Sequence, residues 1–146
     1  MGEKLFEITT EPLSMDKVSR RVKNPAAGAV VSFAGIVRAT NAGRQVSYLE
    51  YEAYPEMAEP MLAQIADEIK ARWPVKEVAI VHRIGRQEIG DTSVIIAIAS
   101  AHRRGAFEAG RYAIDRIKEI VPIWKKEFFE GGEVWIEGPE KQPDVN

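Results

Sequence analysis

The run Thr92-Ser-Val-Ile-Ile-Ala-Ile-Ala99 constrains this chain more than any other stretch. It is almost wholly apolar, far too short to cross a membrane, and rich in β-branched residues. A strand without polar alternation needs cover on both faces, so it belongs in the middle of a sheet. The chain then changes character at once, through Ser100-Ala-His-Arg-Arg-Gly105, and a helical segment follows that Pro122 stops. Phe107, Gly110, Ile114, Ile117 and Val121 recur there at steps of 3 and 4 residues, an apolar seam expected to face the sheet. At ~100° per residue, Lys118 falls roughly 60° from the middle of that seam, with Arg111 on the same flank. A lysine so placed can lay its methylenes on apolar surface and point its ammonium into a cleft. His102 and Arg103 stand where the helix begins, and free N–H groups with the positive dipole end favour an anion there. The guanidinium fork of an arginine fits phosphate. Cations at both ends of this helix point to an anion-binding, lysine-assisted active site.

The remaining segments supply the frame. Leu5–Thr10 reads as a short strand, Ser14 as the N-cap of a short helix to Val22, and Asn24-Pro25 as its end. Gly28–Val37 is a strand with a bulge or close approach at Gly35; it ends at Arg38, a candidate positioning residue. Residues 39–45 read as a polar, mobile loop. In the strand Val46–Tyr54, Leu49, Tyr51 and Ala53 share one face, and Tyr48, Glu50 and Glu52 form a solvated or interface side. A helix follows from Pro55 to Trp73, with Leu62, Ile65 and Ile69 on its buried side. Glu77–Ile84 is a strand whose His82-Arg83 pair reads as structural because it lies mid-strand, and Gly85–Asp91 is a turn with a short edge strand. Ile123–Phe128 and Glu133–Ile136 flank Glu130-Gly131-Gly132 as a hairpin. Lys125 and Lys126 point to opposite faces, so only one can serve a given cleft, and parity leaves open which. The tryptophans read as packing residues. The order β-α-β-β-α-β-β-α-β-β implies an α+β fold with a mixed, mostly antiparallel sheet. The whole of 1–146 reads as a single domain, with 138–146 a frayed tail.

Composition removes several alternatives. With no cysteine, the chain can form no disulfide, thiolate metal site or cysteine nucleophile, so any sulfur it handles must arrive on another molecule. Two histidines make a structural zinc site improbable, and neither metal nor cofactor is expected. A net charge of −2 argues against a nucleic-acid partner. MGEKLFEITT lacks the shape of a signal peptide, and the expected location is cytoplasmic with no membrane association. A Schiff-base lyase using Lys118 or Lys125, and a module that only docks another protein, remain rival readings.

Taken together, GAVVSFAGIVR (28–38), LEYEAY (49–54), HRIGRQEIGD (82–91), SAHRRGAFEAG (100–110) and the D-x-x-K-x-x-x-P-x-W-K-K-E pattern (115–127) resemble the large, catalytic subunit of molybdopterin synthase. The resemblance implies an α/β hammerhead fold with a small extra antiparallel sheet. It implies a homodimer that binds a small ubiquitin-like subunit at each end, giving a heterotetramer. The Gly-Gly C-terminus of that partner, as a thiocarboxylate, would deliver two sulfurs to cyclic pyranopterin monophosphate and so make the dithiolene of molybdopterin. Lys118 and Lys125 match the family's catalytic lysines, which selects Lys125 over Lys126 by analogy. Arg38, His102 and Arg103 match residues that line the pocket and hold the pterin phosphate. Some relatives carry an arginine after the tryptophan near the C-terminus that reaches across the dimer. Here that segment is Trp135-Ile-Glu-Gly-Pro-Glu-Lys141, which holds no arginine and so departs from those relatives.

Overall fold

The computed structural model describes residues 4–136. Along the chain lie β1 (Phe6–Thr9), α1 (Met15–Arg20), β2 (Ala29–Ile36), β3 (Thr40–Asn41), β4 (Arg44–Ala53) and α2 (Pro55–Arg72). They are followed by β5 (Val75–Arg83), β6 (Gly85–Glu88), β7 (Thr92–Ser100), α3 (Arg103–Ile120), β8 (Ile123–Phe129) and β9 (Gly132–Ile136). The architecture is α+β with two sheets. One has the order β1-β5-β7-β2, parallel only between β1 and β5. The other is antiparallel, ordered β3-β4-β8-β9, with β6 also paired to β4. The tail from 138 onward lies outside the described residues.

The apolar run is an inner strand, as its lack of alternation requires. Val94, Ile96 and Ile98 of β7 face a core shared with α2 and α3, where Leu62, Ile65 and Ile69 are fully buried. Ile95, Ala97 and Ala99 face the opposite side, against Val18 and Val22. Ser14 caps α1 by accepting from the Lys17 amide at 3.3 Å, and α1 ends at Arg20, two residues before the expected Val22. The bulge falls where Gly35 marks it, with the β2–β7 register shifting between Gly35 and Ile36.

Two expectations are corrected. Phe107 is 63% exposed, and the buried stripe of α3 is Ala106, Ala109, Gly110, Ala113 and Ile117. Small residues let the helix backbone approach the sheet, and that face is invisible to a search for large apolar side chains. Residues 39–45 are not an irregular loop but the tip of a tight hairpin, in which Thr40 pairs with Gln45 and Asn41 with Arg44. Its two turn residues, Ala42 (φ 52°) and Gly43 (φ 78°), both take the left-handed conformation that a two-residue hairpin turn demands.

A polar clamp joins the two long helices. Glu68 of α2 accepts from Arg116 of α3 at 2.9 and 3.2 Å and from the Tyr112 hydroxyl at 2.6 Å. Hydrogen bonds from Arg116, then from Tyr112 and Gln64, hold the Glu68 carboxyl down to about 2. Because the folded-state value lies below the ordinary one of 4.5, the clamp's stabilisation is complete above pH 4.5 and is lost as pH falls toward 2. Thermal melts across that window should show wild-type Tm falling more steeply than that of Glu68→Gln, which cannot titrate there. Parallel slopes would show that the clamp contributes nothing.

Candidate active site

Between the two sheets, at the C-terminal end of α3, opens a cavity of about 420 Å³. That size suits a small organic ligand. Its walls come from β2, β4, β5, β7, α3 and β8, so residues distant in sequence converge on it. Phe33, Ile36, Val37, Val46, Leu49, Val94, Ile114, Ile117, Val121 and Ile123 make it largely apolar. Three cations line it, namely Arg38, Lys118 and Lys125.

Each cation is positioned by its element. Arg38 follows β2, and the preceding Val37 is anchored by exchanging backbone hydrogen bonds with Gly90 and Asp91, both at 2.9 Å. Lys118 lies in the last turn of α3, where the negative end of the helix dipole favours an ammonium. Lys125 pairs in register with Tyr51 of β4, and both side chains line the cavity. Strand parity sends Lys126 to the other face, where it pairs with Glu133 at 3.4 Å and lies over the rings of Phe128 and Trp135.

His102 and Arg103 do not join them within one chain. Both are exposed at the N-terminus of α3, and 15 residues of helix at ~1.5 Å each separate Arg103 from Lys118, roughly 22 Å. Arg111 is also absent from the cavity lining; it is exposed and lies 3.8 Å from Asp115.

Residues that the sequence did not mark as functional complete the polar lining. Glu127 is 2% exposed; its Oε2 accepts from the Asn41 side chain and lies 4.0 Å from the Lys125 ammonium. Its Oε1 is 3.6 Å from Arg44 but accepts no hydrogen bond among the described residues. Glu127 follows Lys125 by two positions on a strand, so the period of two could have placed both on one face. His82 is buried, donates from Nδ1 to the Arg83 carbonyl at 2.9 Å and meets the Tyr51 ring edge-on at 4.9 Å. Burial pushes its imidazole down to about 4, so it is neutral at pH 7. Among the described residues three cations and one carboxylate line the cavity, a composition that suits an anionic ligand.

A pocket of this size, apolar within and lined by positive charge, is an enzyme-type site for a small anionic substrate. The chain belongs to the MoaE protein family, whose model matches residues 8–120. It is 54% identical over 136 residues to the molybdopterin synthase catalytic subunit of Halalkalibacterium halodurans, covering 93% of this chain and 87% of that one. Its fold superposes on a crystal structure of molybdopterin synthase from Staphylococcus aureus with a TM-score of 0.87 at 51% identity, covering 91% and 97% of the two chains. A complex of subunits 1 and 2 of the molybdopterin-converting factor from Helicobacter pylori shares the fold at a TM-score of 0.73 and 20% identity, covering 90% of each chain. Among the described residues no helix is long and apolar enough to cross a membrane.

Proposed function

We propose that this chain is the catalytic subunit of a molybdopterin synthase, moving sulfur from a thiocarboxylated small partner onto cyclic pyranopterin monophosphate. The observation that carries the reading is the convergence of Lys118 and Lys125, from different elements, on one cavity that also takes Arg38. The substrate is a phosphate-bearing heterocycle, and such a cavity offers cations for the charge and apolar walls for the ring. An extended Gly-Gly tail is the slimmest peptide that could share this space, and exposed Phe33 and Ile36 give its carrier an apolar rim. The Helicobacter neighbour is itself a two-subunit complex, which supports a small-subunit partner.

Lys118 acts as an electrostatic clamp at the partner's C-terminus. A reference lysine is almost wholly protonated at pH 7, and an ammonium stabilises the oxyanion formed at the thiocarboxylate carbonyl without first losing its proton. Lys125 serves the substrate side as charge or proton donor. His102 and Arg103 are too far along α3 to bind the same phosphate as Lys118 of their own chain. The proposed homodimer gives them a role, because a second copy can present its own α3 N-terminus.

The test is reconstitution from this protein, a thiocarboxylated small subunit and cyclic pyranopterin monophosphate, with the oxidised product read by fluorescence. Formation of dithiolene-bearing pterin is expected. A stable complex that makes no product would instead favour a docking module. Within that assay Lys125→Ala should lower turnover at least ~10-fold, whereas Lys126→Ala, on the other face, should stay within about twofold of wild type. Equal losses from the two would contradict the assignment of Lys125 to the site.

A further inference from the structure

The cavity has a corner that can only accept hydrogen bonds. The Nδ1 atom of His82 lies 2.9 Å from the Arg83 carbonyl oxygen. A carbonyl cannot donate, so Nδ1 carries the ring hydrogen and Nε2 keeps its lone pair. Gln87, fully buried, donates to the same carbonyl at 3.1 Å and so holds its own amide in one orientation. The amide oxygen of Gln87 then takes the hydrogen of the Ser93 hydroxyl at 2.6 Å. Ser93 thereby commits its only hydrogen inward and keeps lone pairs for the cavity it lines.

His82 is 5% exposed and lines the same cavity, yet Nε2 has no hydrogen-bond partner among the described residues. Nε2 is therefore an acceptor open to the cavity, where a bound ligand can supply the donor. The adjacent rung of the sheet fixes the direction. Tyr51, which packs edge-on against His82, is paired in register with Lys125. Acceptors therefore stand beside the cationic wall, and a ligand that fits both needs N–H donors and a negative charge.

We propose that His82 Nε2, backed by Ser93 Oγ, accepts hydrogen bonds from N–H donors of the substrate's pterin ring, making His82 a specificity-determining residue of the site. The inference rests on the reading above and adds to it which edge of the substrate is recognised and by what. A pterin carries an amino group and ring N–H groups on its pyrimidine side, while its phosphate lies at the far end of the molecule. With the N–H edge against His82 and Ser93, the phosphate is left for the arginines and lysines. The neutral state of the imidazole at pH 7 keeps Nε2 available as an acceptor.

Steady-state kinetics of the complex with its thiocarboxylated partner test this, alongside equilibrium binding of cyclic pyranopterin monophosphate and far-UV circular dichroism. His82→Phe keeps a flat ring but has no acceptor; its KM and Kd for the pyranopterin should rise at least ~10-fold, with kcat changing by less than about threefold. His82→Gln can place its amide oxygen near the position of Nε2 and should recover most of the affinity. Wild-type KM in a folded His82→Phe enzyme would overturn the proposal, as would a His82→Gln enzyme no better than His82→Phe. Should His82→Phe fail to fold, Ser93→Ala decides the matter, with a raised KM expected and an unchanged one overturning it. A wild-type complex that neither binds nor converts the pyranopterin would bring down the functional reading itself. That outcome is distinct from an active wild type whose variants behave identically.

Discussion

Lys118→Ala is expected to lower the kcat of sulfur transfer by at least ~10²-fold, the usual scale for removing a group that stabilises a developing oxyanion. The loss should fall on kcat rather than on partner affinity, because Lys118 is a charged group of the cavity lining, whereas the partner would rest on exposed Phe33 and Ile36. Lys118→Arg separates the two chemical roles open to a lysine. An arginine keeps its charge and does not transfer protons at accessible pH. Turnover near wild type in Lys118→Arg would establish the charge role, and a loss as large as that of alanine would establish proton transfer. Retained activity in Lys118→Ala would remove the residue from the chemistry altogether.

The largest effect on stability is expected from the centre of β7. Ile96 is fully buried between β2 and β5, pairing with Phe33 on one side and Ile80 on the other, and it faces the core shared with α2 and α3. Ile96→Ala should cost about 2–5 kcal/mol, from lost burial and from the cavity left where packed neighbours cannot collapse. For a chain of this length that lowers Tm by on the order of 10 °C. A shift of only a degree or two would mean that the core repacks around the gap, and that β7 is less confined than its lack of polar alternation implies.

How much could be read from the sequence depended on whether a single element carried the signal. β7 announced itself because an all-apolar strand has only one kind of environment available. Leu62, Ile65 and Ile69 were legible because large side chains at helical spacing mark a buried face. The stripe of α3 was misread, since alanines and a glycine carry little hydrophobic signal although they set the closest approach. The hairpin at 40–45 was hidden because Ala42 takes a left-handed conformation that alanine seldom adopts. His82 and Glu127 were legible as buried or strand residues but not as cavity lining, because that depends on how β4, β5 and β8 come together. The distance between Arg103 and Lys118 is legible in the sequence, since helix length alone gives it, and it sets the two ends of α3 apart within one chain.

The connection from α3 to β8 consists of Val121 and Pro122 alone, and both lysines of the site sit within a few residues of it. Their relation is therefore a matter of frame. Deleting one connector residue would slip β8 by one position along β4 and so exchange the side chains on its two faces, since strand side chains alternate. Lys126 would inherit the place of Lys125, so an ammonium would survive there. Phe128 would replace Glu127, however, and Trp124 would replace Ile123. The tandem lysines make the positive charge tolerant of such a slip, whereas the carboxylate has no understudy. Of the two charges that β8 contributes to the cavity, the negative one is the sharper witness to correct register.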